Sequence, residues 1–295
     1  MCATRRRVVG KLAFETAAGG VLGDTRIRLL EAIAEFGSLN RAAKAVPLSY
    51  KAAWDALDAV NNLADAPLVV RTTGGAHGGG TRLTEHGRRI VALYRAMESS
   101  QQSVLDRLTQ DQVLGGGRGK TGGRKQIGMA PDGILNATPP TEADAMRDLI
   151  RRMAVRTSAR NQFVGTVASL GDAGGMVEVR LRLTGGDEIV AAITAESAEN
   201  MALAAGQEAH ALVKAPWVSV QARAPRRGSG RNIVAGTIGR IEAGAVIARL
   251  SVITPNERVF IAAMPNALVI ERGLREGTPG WAVFSTESVI LAVFA

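Results

Sequence analysis

The chain has 295 residues, 46% of them hydrophobic, which is long enough for two or three domains with their own apolar cores. A single cysteine, Cys2, excludes a disulfide within the chain, and a membrane-spanning helix is excluded because the sequence contains no apolar run of about 18 residues. The net charge of +9 is concentrated in residues 1–156, with 23 Lys and Arg against 15 Asp and Glu, whereas residues 157–295 carry 13 against 12. A cytoplasmic protein whose first half meets a polyanion is expected, with a generally basic proteome as the alternative.

Helical patterns begin at Asp24, after a predicted loose N-terminal arm over residues 1–22. Apolar residues then recur at helical spacing, a short helix is predicted after Ser38, and a third after Ser49. A glycine and a proline separate these helices. Three short helices with tight breaks between them are typical of a helix-turn-helix unit.

A hairpin and a long helix are predicted next. Two β-prone runs, Leu68–Thr72 and Thr81–Leu83, flank a glycine-rich loop and predict a wing. From Thr84 to about Leu108 the apolar residues form one helical stripe, which needs a partner. In small DNA-binding domains that partner is often the same helix of a second subunit, so residues 23–108 are predicted to form a winged helix-turn-helix domain with a dimerisation helix.

A change of composition follows. Residues 109–156 contain "LGGGRGKTGG" and "ATPPTEAD", which predict a flexible linker, although Glu142–Met153 is compatible with a helix. From residue 157 onward, apolar residues alternate with a period of two, which predicts strands.

An internal repeat divides this second half. A constant offset, which we call the repeat offset, carries "TSARNQFVGTV" from Thr157 onto "GSGRNIVAGTI" from Gly228 and aligns the following residues without gaps. Two copies of similar length, each with five or six short strands, predict two OB-like β-barrels over residues 157–222 and 228–295. Because each copy is small, the two barrels are expected to pack together.

Two cations stand out in the near-neutral half, Arg160 and Lys214. Ser158, Thr194 and Ser197 supply hydroxyl groups in the same repeat. Two positive charges with several short donors, and no carboxylate among them, suit a tetrahedral dianion. Ordinary polar turns are the alternative. The histidines are scattered without ligand spacing, so no site for a free metal cation is expected.

The third helix and the wing carry the candidate DNA contacts. If that helix enters a major groove, its first residues Ser49, Tyr50 and Lys51 reach base edges and phosphates. Arg71 and Thr72, at the end of the first wing strand, complete the predicted DNA-binding set. For Tyr50, a place in the domain core is the alternative.

Both halves resemble one known family. The segment that begins "GSLNRAAKAVPLSY" and ends "GGGTRLTEHG" resembles the winged helix-turn-helix domain of the molybdate-dependent transcriptional regulators, the ModE type. "TSARNQFVGTV", "ITAES" and "VKAPWVSV" resemble the Mop (molybdate-binding) domain, which these regulators carry in tandem. The resemblance covers Asp24–Leu108 and Thr157–Ala295, with the two motif sets in the family's order.

The resemblance implies a multidomain protein, α+β and all-β: an N-terminal winged helix-turn-helix domain with a long dimerisation helix, followed by tandem OB-like barrels. It further implies a homodimer that binds double-stranded operator DNA, and molybdate or tungstate held between the Mop domains of two subunits. The anion ligands that it implies from one subunit are Ser158, Arg160, Lys214 and the backbone of Ala215. The hydroxyl donors that it implies from the other subunit are Thr194 and Ser197.

A molybdate-sensing regulator that represses molybdate-uptake genes when the anion is bound is therefore expected. The alternative is a molybdate or tungstate storage or buffering protein whose DNA-binding half is not essential. No enzyme is expected, since the sequence shows no nucleophile–base or carboxylate pair. In the second copy Pro265, Leu268 and Ser285 replace three of the implied ligands, so that copy is not expected to bind the anion in the same way.

Overall fold

A computed structural model describes residues 11–16, 19–75, 78–114, 141–226 and 228–293. Its first half combines two hairpins with a group of helices. In chain order these are β1 (Ala13–Thr16), β2 (Gly19–Gly23), α1 (Asp24–Phe36), α2 (Leu39–Ala45), α3 (Tyr50–Leu63), β3 (Val69–Gly75), β4 (Gly78–Leu83) and α4 (Glu85–Leu114).

The second half begins with one helix and continues almost entirely in strands. The elements are α5 (Glu142–Met153), β5 (Asn161–Asp172), β6 (Met176–Leu183), β7 (Glu188–Thr194), α6 (Ala195–Asn200), β8 (Glu208–Val213), β9 (Ser219–Gln221), β10 (Arg231–Ala243), β11 (Ile247–Ile253), β12 (Val259–Pro265), α7 (Asn266–Glu271), β13 (Pro279–Ser285) and β14 (Ile290–Ala292). Single 3₁₀ turns, Ala215–Trp217 and Thr286–Ser288, follow β8 and β13.

The winged helix-turn-helix fold expected from the sequence is confirmed. Gly37 ends α1 in the left-handed conformation, at φ 60°, and its N–H donates to the carbonyl of Ile33. The hydroxyl of Ser49 accepts a hydrogen bond from the N–H of Ala52 at 3.1 Å and caps the start of α3. β3 and β4 pair antiparallel as the wing, whose tip at residues 76–77 lies outside the described residues.

The apolar side chains of α4 are buried near its start and exposed further along. Ile90 and Tyr94 are buried in the N-terminal core, whereas Met97 and Val104 are exposed apolar side chains further along. The helix continues to Leu114, beyond the predicted end at Leu108. Its second half therefore presents apolar surface that one chain leaves uncovered.

The arm and linker predictions need correction where the structure describes them. The strands β1 and β2 pair antiparallel and lie against α4, where the hydroxyl of Tyr94 donates to the carbonyl of Leu12 and the Phe14 ring meets the Tyr94 ring edge-on at 6.2 Å. Within the predicted linker, the helix that the sequence allowed at Glu142–Met153 is present as α5, and its buried Met146 and Leu149 join the same core. These short segments fold because they bury apolar side chains, a tertiary effect that composition does not reveal. Residues 1–10 and 115–140 lie outside the described residues.

The repeat forms two five-stranded antiparallel sheets. We call β14-β8-β5-β6-β7 the first barrel and β12-β11-β10-β13-β9 the second barrel. Each barrel includes the last strand of the other copy, since β9 pairs with β13 and β14 pairs with β8. The predicted boundary between residues 222 and 228 therefore separates sequence copies and not complete sheets.

Repeated residues mark the same positions in both barrels. A Cβ on Gly165 would lie 2.9 Å from the carbonyl oxygen of Arg182, and one on Gly236 would lie 2.4 Å from that of Ile253. Only glycine permits this close approach of neighbouring strands. One apolar core spans both barrels, in which the ring centres of Phe163 and Phe260 lie 4.4 Å apart with the ring planes tilted by 31°. The small barrels thus share a core, as their size predicted.

Candidate oxyanion site and nucleic-acid surface

Arg160 and Lys214 lie side by side at one end of the first barrel. In the antiparallel register of β5 and β8, Asn161 is opposite Val213, so the residue before β5 and the residue after β8 are neighbours. Both side chains are exposed, and among the described residues neither forms an ion pair with a carboxylate. Two unneutralised cations at adjacent strand ends favour the binding of an anion with two charges.

The turn that follows Lys214 is held against the second barrel. The N–H of Trp217 donates to the carbonyl of Lys214 at 2.9 Å, and the Lys214 ammonium lies 5.2 Å from the centre of the Trp217 ring. Ala215 is buried against Val259 and Ile261 of β12. The hydrogen bond within the turn and the contact with β12 therefore fix the backbone position of this turn.

Ser158 lies two residues before Arg160 and is exposed. The preceding Thr157 accepts a hydrogen bond from the N–H of Ala159 at 3.1 Å, which shapes the segment leading into β5. The Ser158 hydroxyl is thus placed on the same strand end as the Arg160 guanidinium.

Thr194 and Ser197 form a second, separate group. The Thr194 hydroxyl donates to the Ser197 hydroxyl at 2.8 Å and accepts from the Ser197 N–H at 3.1 Å at the start of α6. Thr194 is paired with Met176 of β6, beyond the end of β5 opposite to Arg160. One chain therefore does not bring these hydroxyls to Arg160 and Lys214.

The equivalent positions of the second copy lack the same chemistry. Pro265 precedes α7 without a side-chain cap, and Leu268 packs against the shared apolar core. Ser285, in the place of Lys214, is opposite Arg231 in the register of β10 and β13, and its hydroxyl accepts from the N–H of Glu287 at 3.2 Å. One guanidinium thus remains where the first copy has two cations.

The first turn of α3 is partly accessible. Ser49 uses its hydroxyl as the helix cap, whereas Tyr50 is exposed and lies under the guanidinium of Arg240 at 5.1 Å. The Lys51 side chain is 57% exposed and its ammonium lies 3.2 Å from a carboxylate oxygen of Glu242. Exposed Tyr50 is consistent with a surface role and not with a place in the core.

The wing residues differ from each other. Thr72 is exposed, and its hydroxyl accepts from the N–H of Gly80 at 3.0 Å. Arg71, by contrast, is only 10% exposed, and its side chain is bound to Asp58 at 2.5 Å and to Glu257 at 3.4 Å. Its guanidinium also covers the Trp54 ring at 4.8 Å. In this conformation Arg71 joins the domains, and contact with DNA would require the second barrel to move away.

Burial changes the acidity of this junction. Desolvation raises the pKa of Asp58 to about 6, although the positive charge of Arg71 opposes the change. The other carboxylate on this face of α3 is also paired with an arginine, since Asp55 binds Arg249 at 2.6 Å.

Among the described residues, no cluster of three or more His, Cys, Asp or Glu side chains has the arrangement of a metal site. None of the helices in the described ranges is long and apolar enough to cross a membrane.

Comparison with known proteins identifies both halves. Residues 25–88 match the family of bacterial regulatory helix-turn-helix proteins of the LysR type, and residues 157–220 match the TOBE domain family. The chain is 43% identical over 291 residues to the molybdenum transport protein ModE of Azotobacter vinelandii, covering 99% of each chain. The chain belongs to the ModE family of molybdate-responsive regulators.

Other ModE-family relatives span nearly the whole chain. The DNA-binding transcriptional dual regulator ModE of Escherichia coli K12 is 32% identical over 268 residues, which cover 90% of this chain and 91% of that protein. The molybdenum-pterin-binding protein MopA of Rhodobacter capsulatus is 34% identical and covers 97% of this chain and 98% of its own. The cytoplasmic molybdate-binding protein ModG, in a crystal structure with molybdate bound, is 40% identical in sequence to the part of this chain that it matches. The match covers 48% of this chain and 100% of ModG, with a TM-score of 0.45.

Proposed function

We propose that this ModE-family chain is a molybdate-sensing transcriptional regulator that represses molybdate-uptake genes when the anion is bound. The observation that carries the proposal is the exposed pair Arg160 and Lys214 at adjacent strand ends of the first barrel. Together they balance the two negative charges of molybdate or tungstate. The protein acts in the cytoplasm and is a regulator and not an enzyme.

The anion shell is completed by a second subunit. Ser158 and the backbone of Ala215 lie beside the two cations, whereas Thr194 and Ser197 lie beyond the far end of β5. A tetrahedral dianion removed from water needs most of its oxygens hydrogen-bonded, which the first group alone does not achieve. Thr194 and Ser197 of a second subunit supply the missing donors in a homodimer.

The exposed apolar side chains of α4 support the same assembly. Met97 and Val104 continue the stripe that begins with buried Ile90 and Tyr94. Packing of α4 against its copy in the second subunit removes this surface from water. The two winged domains are then held at a fixed spacing for two half-sites of operator DNA.

Operator contact comes from the first turn of α3 and from the wing. Ser49, Tyr50 and Lys51 reach the major groove, and Thr72 with Arg71 approaches the backbone once the second barrel has moved. The storage or buffering alternative gives the folded winged domain no role. The concentration of positive charge in residues 1–156 favours the regulator.

Calorimetric titration of the full-length protein tests the anion assignment, with molybdate, tungstate, sulfate and hydrogen phosphate compared at one ionic strength. Molybdate and tungstate should bind, because the site offers donors and cations but no acceptor for a protonated anion. Sulfate should bind more weakly, because a smaller ion does not reach all donors. Equal affinity for sulfate and molybdate would contradict the proposal.

A further inference from the structure

The second barrel covers the outward face of α3. The core side of this helix is formed by Ala53, Leu57 and Val60. The opposite side carries a stripe of polar residues spaced by three or four positions, which consists of Lys51, Asp55, Asp58 and Asn62. Lys51, Asp55 and Asn62 bind the second barrel directly, whereas Asp58 is paired with Arg71, which in turn binds Glu257 of that barrel. In a winged helix-turn-helix domain, the side of this helix that faces away from the core is the side that enters DNA.

The contact is specific along the whole helix. Asn62 donates to the carbonyl of Val259 at 2.9 Å and accepts from its N–H at 2.9 Å, which continues the edge of β12 as a strand partner would. Asp55 is paired with Arg249 at 2.6 Å, and Lys51 with Glu242 at 3.2 Å. Both hydrogen bonds of Asn62 are buried, so they are protected from competition with water.

Arg258 holds the carboxyl end of the helix. Its side chain is almost fully buried and donates to the carbonyl oxygens of Asn61 and of Ala64, the latter at 3.3 Å. The last carbonyls of a helix have no partner inside the helix and carry its negative dipole, so a guanidinium there is favourable. Glu257, the neighbouring residue, binds Arg71 of the wing.

The charges of this contact are specific to the second copy. We define the docking face as Arg240, Glu242, Arg249, Glu257 and Arg258. At the repeat offset, the equivalent residues of the first copy are Ser169, Gly171, Glu178, Gly186 and Asp187, so no position has the same charge in both copies. The copy that lost three oxyanion donors thus carries five charged residues that contact α3 and the wing.

The strand β12 joins the docking face to the oxyanion site. Ala215, directly after Lys214, packs against Val259, the residue whose peptide binds Asn62. Asn161, directly after Arg160, binds the peptide of Ile261 on the same strand. An anion that draws Arg160 and Lys214 together therefore acts on the strand that holds α3.

We propose that the second barrel is a docking module for the recognition helix: it covers the DNA-reading side of α3 in the absence of anion and competes with duplex DNA for it. A ligand shifts an equilibrium only by binding one state more tightly, so the undocked state must bind the anion more tightly than the docked state. The strand β12 couples the two sites. This inference rests on the proposed DNA-binding function. It gives the second copy a role that its missing anion ligands leave open.

A cross-linking measurement in the full-length protein, without DNA, detects docking directly. A carbodiimide joins an ammonium and a carboxylate that are in contact, and Lys51 and Glu242 meet this condition at 3.2 Å. The joined peptides are quantified by mass spectrometry. The test variant is Arg249→Asp, which places a carboxylate opposite Asp55. The matched control is Arg275→Asp, an exposed arginine of the same barrel for which the described structure shows no ion pair.

Cross-link yield should fall about tenfold in Arg249→Asp and stay unchanged in Arg275→Asp, as expected when a docked population becomes the minor one. Addition of molybdate to the parent protein should also lower the cross-link yield. The charge-exchanged double variant Asp55→Arg, Arg249→Asp should recover the cross-link, which separates docking from misfolding. Equal yields in the parent and Arg249→Asp would overturn the inference.

Binding to a random-sequence duplex of about 30 base pairs completes the test, measured without molybdate at low salt. Arg249→Asp should bind about tenfold more tightly than the parent, although it has lost a positive charge that would itself attract DNA. If Arg249→Asp loses the cross-link but does not bind the duplex more tightly, the second barrel and duplex DNA do not compete for α3, and this result would overturn the inference. Failure of the parent protein to bind duplex even with molybdate would instead contradict the proposed function, with the cross-link result unaffected.

Discussion

Asn161 and Asn232 occupy equivalent positions in the two copies and make the same pair of hydrogen bonds, each to the main chain of the opposite copy. Asn161 donates to the carbonyl of Ile261 at 2.9 Å and accepts from its N–H at 2.5 Å. Asn232 does the same with Val190, at 2.8 Å for both bonds. Because Val190 and Ile261 are also equivalent at the repeat offset, the two barrels are related by an approximate twofold axis.

These asparagines should matter for stability. Asn161→Ala leaves a buried peptide without partners and should lower the free energy of unfolding by about 2 kcal/mol, with a similar or smaller loss for the less buried Asn232→Ala. Urea denaturation measures both. Asn200→Ala, at an exposed helix end, is the matched control. Unchanged stability in both barrel variants would show that the two asparagines do not stabilise the interface between the barrels.

Much of the fold follows from local sequence. The helices of the winged domain were predicted from caps such as Ser49, and the paired barrels from the repeat offset. The exchange of β9 and β14 was not predicted, because alternation of apolar residues specifies a strand but not its partner. The N-terminal hairpin was missed for a related reason, since its burial depends on Tyr94, a distant residue.

For the candidate site, too, some features were predicted from the sequence and others were missed. Arg160 and Lys214 were selected as cations in a near-neutral segment, and the strand register brings them together. The docking of α3 was missed, because charges such as Arg249 on β11 and Glu257 in the turn before β12 are typical of solvent-facing positions. Comparison of the copies position by position would have marked them, since Glu178 and Gly186 occupy the matching places.

Anion binding should depend on one copy of the repeat. Arg160→Ala removes a cation that no neighbouring donor replaces and should abolish high-affinity molybdate binding. Arg231→Ala, the matched change in the second copy, should leave most of it, because Pro265 and Leu268 already deprive that copy of donors. Calorimetry should give one anion per chain. Two anions per chain, or the reverse order of the two variants, would contradict the assignment.

Operator binding should depend on Lys51. With molybdate saturating, Lys51→Ala should weaken DNA binding while anion affinity stays unchanged. If the ammonium meets a phosphate, the log–log salt slope should fall by about one unit per half-site, and if it meets a base, one position should become less discriminated. Arg182→Ala, on an exposed side chain of the first barrel, is the control. A folded Lys51 variant with unaltered affinity would place the residue outside the interface.

Acid should destabilise the protein through His210. Burial lowers the pKa of this imidazole to about 4, so the unfolded chain takes up a proton below about pH 6.5 while the native protein does not. Stability is therefore lost as the pH falls from about 6.5 to 4, by up to about 3 kcal/mol. His210→Gln should remove this part of the pH dependence in urea denaturation between pH 7 and 4.5. An identical pH profile in the variant would show that another group is responsible.

Regulation of DNA binding by molybdate is tested most directly by the affinity of the full-length protein for duplex DNA with and without the anion, at fixed ionic strength. The duplex is the one that the protein selects from a random pool in the presence of the anion. Molybdate should increase the affinity at least tenfold, about 1.4 kcal/mol of coupling, and the increase should be absent in Arg160→Ala. Equal affinity with and without molybdate, in a sample that calorimetry shows to be saturated with the anion, would contradict a molybdate-sensing regulator.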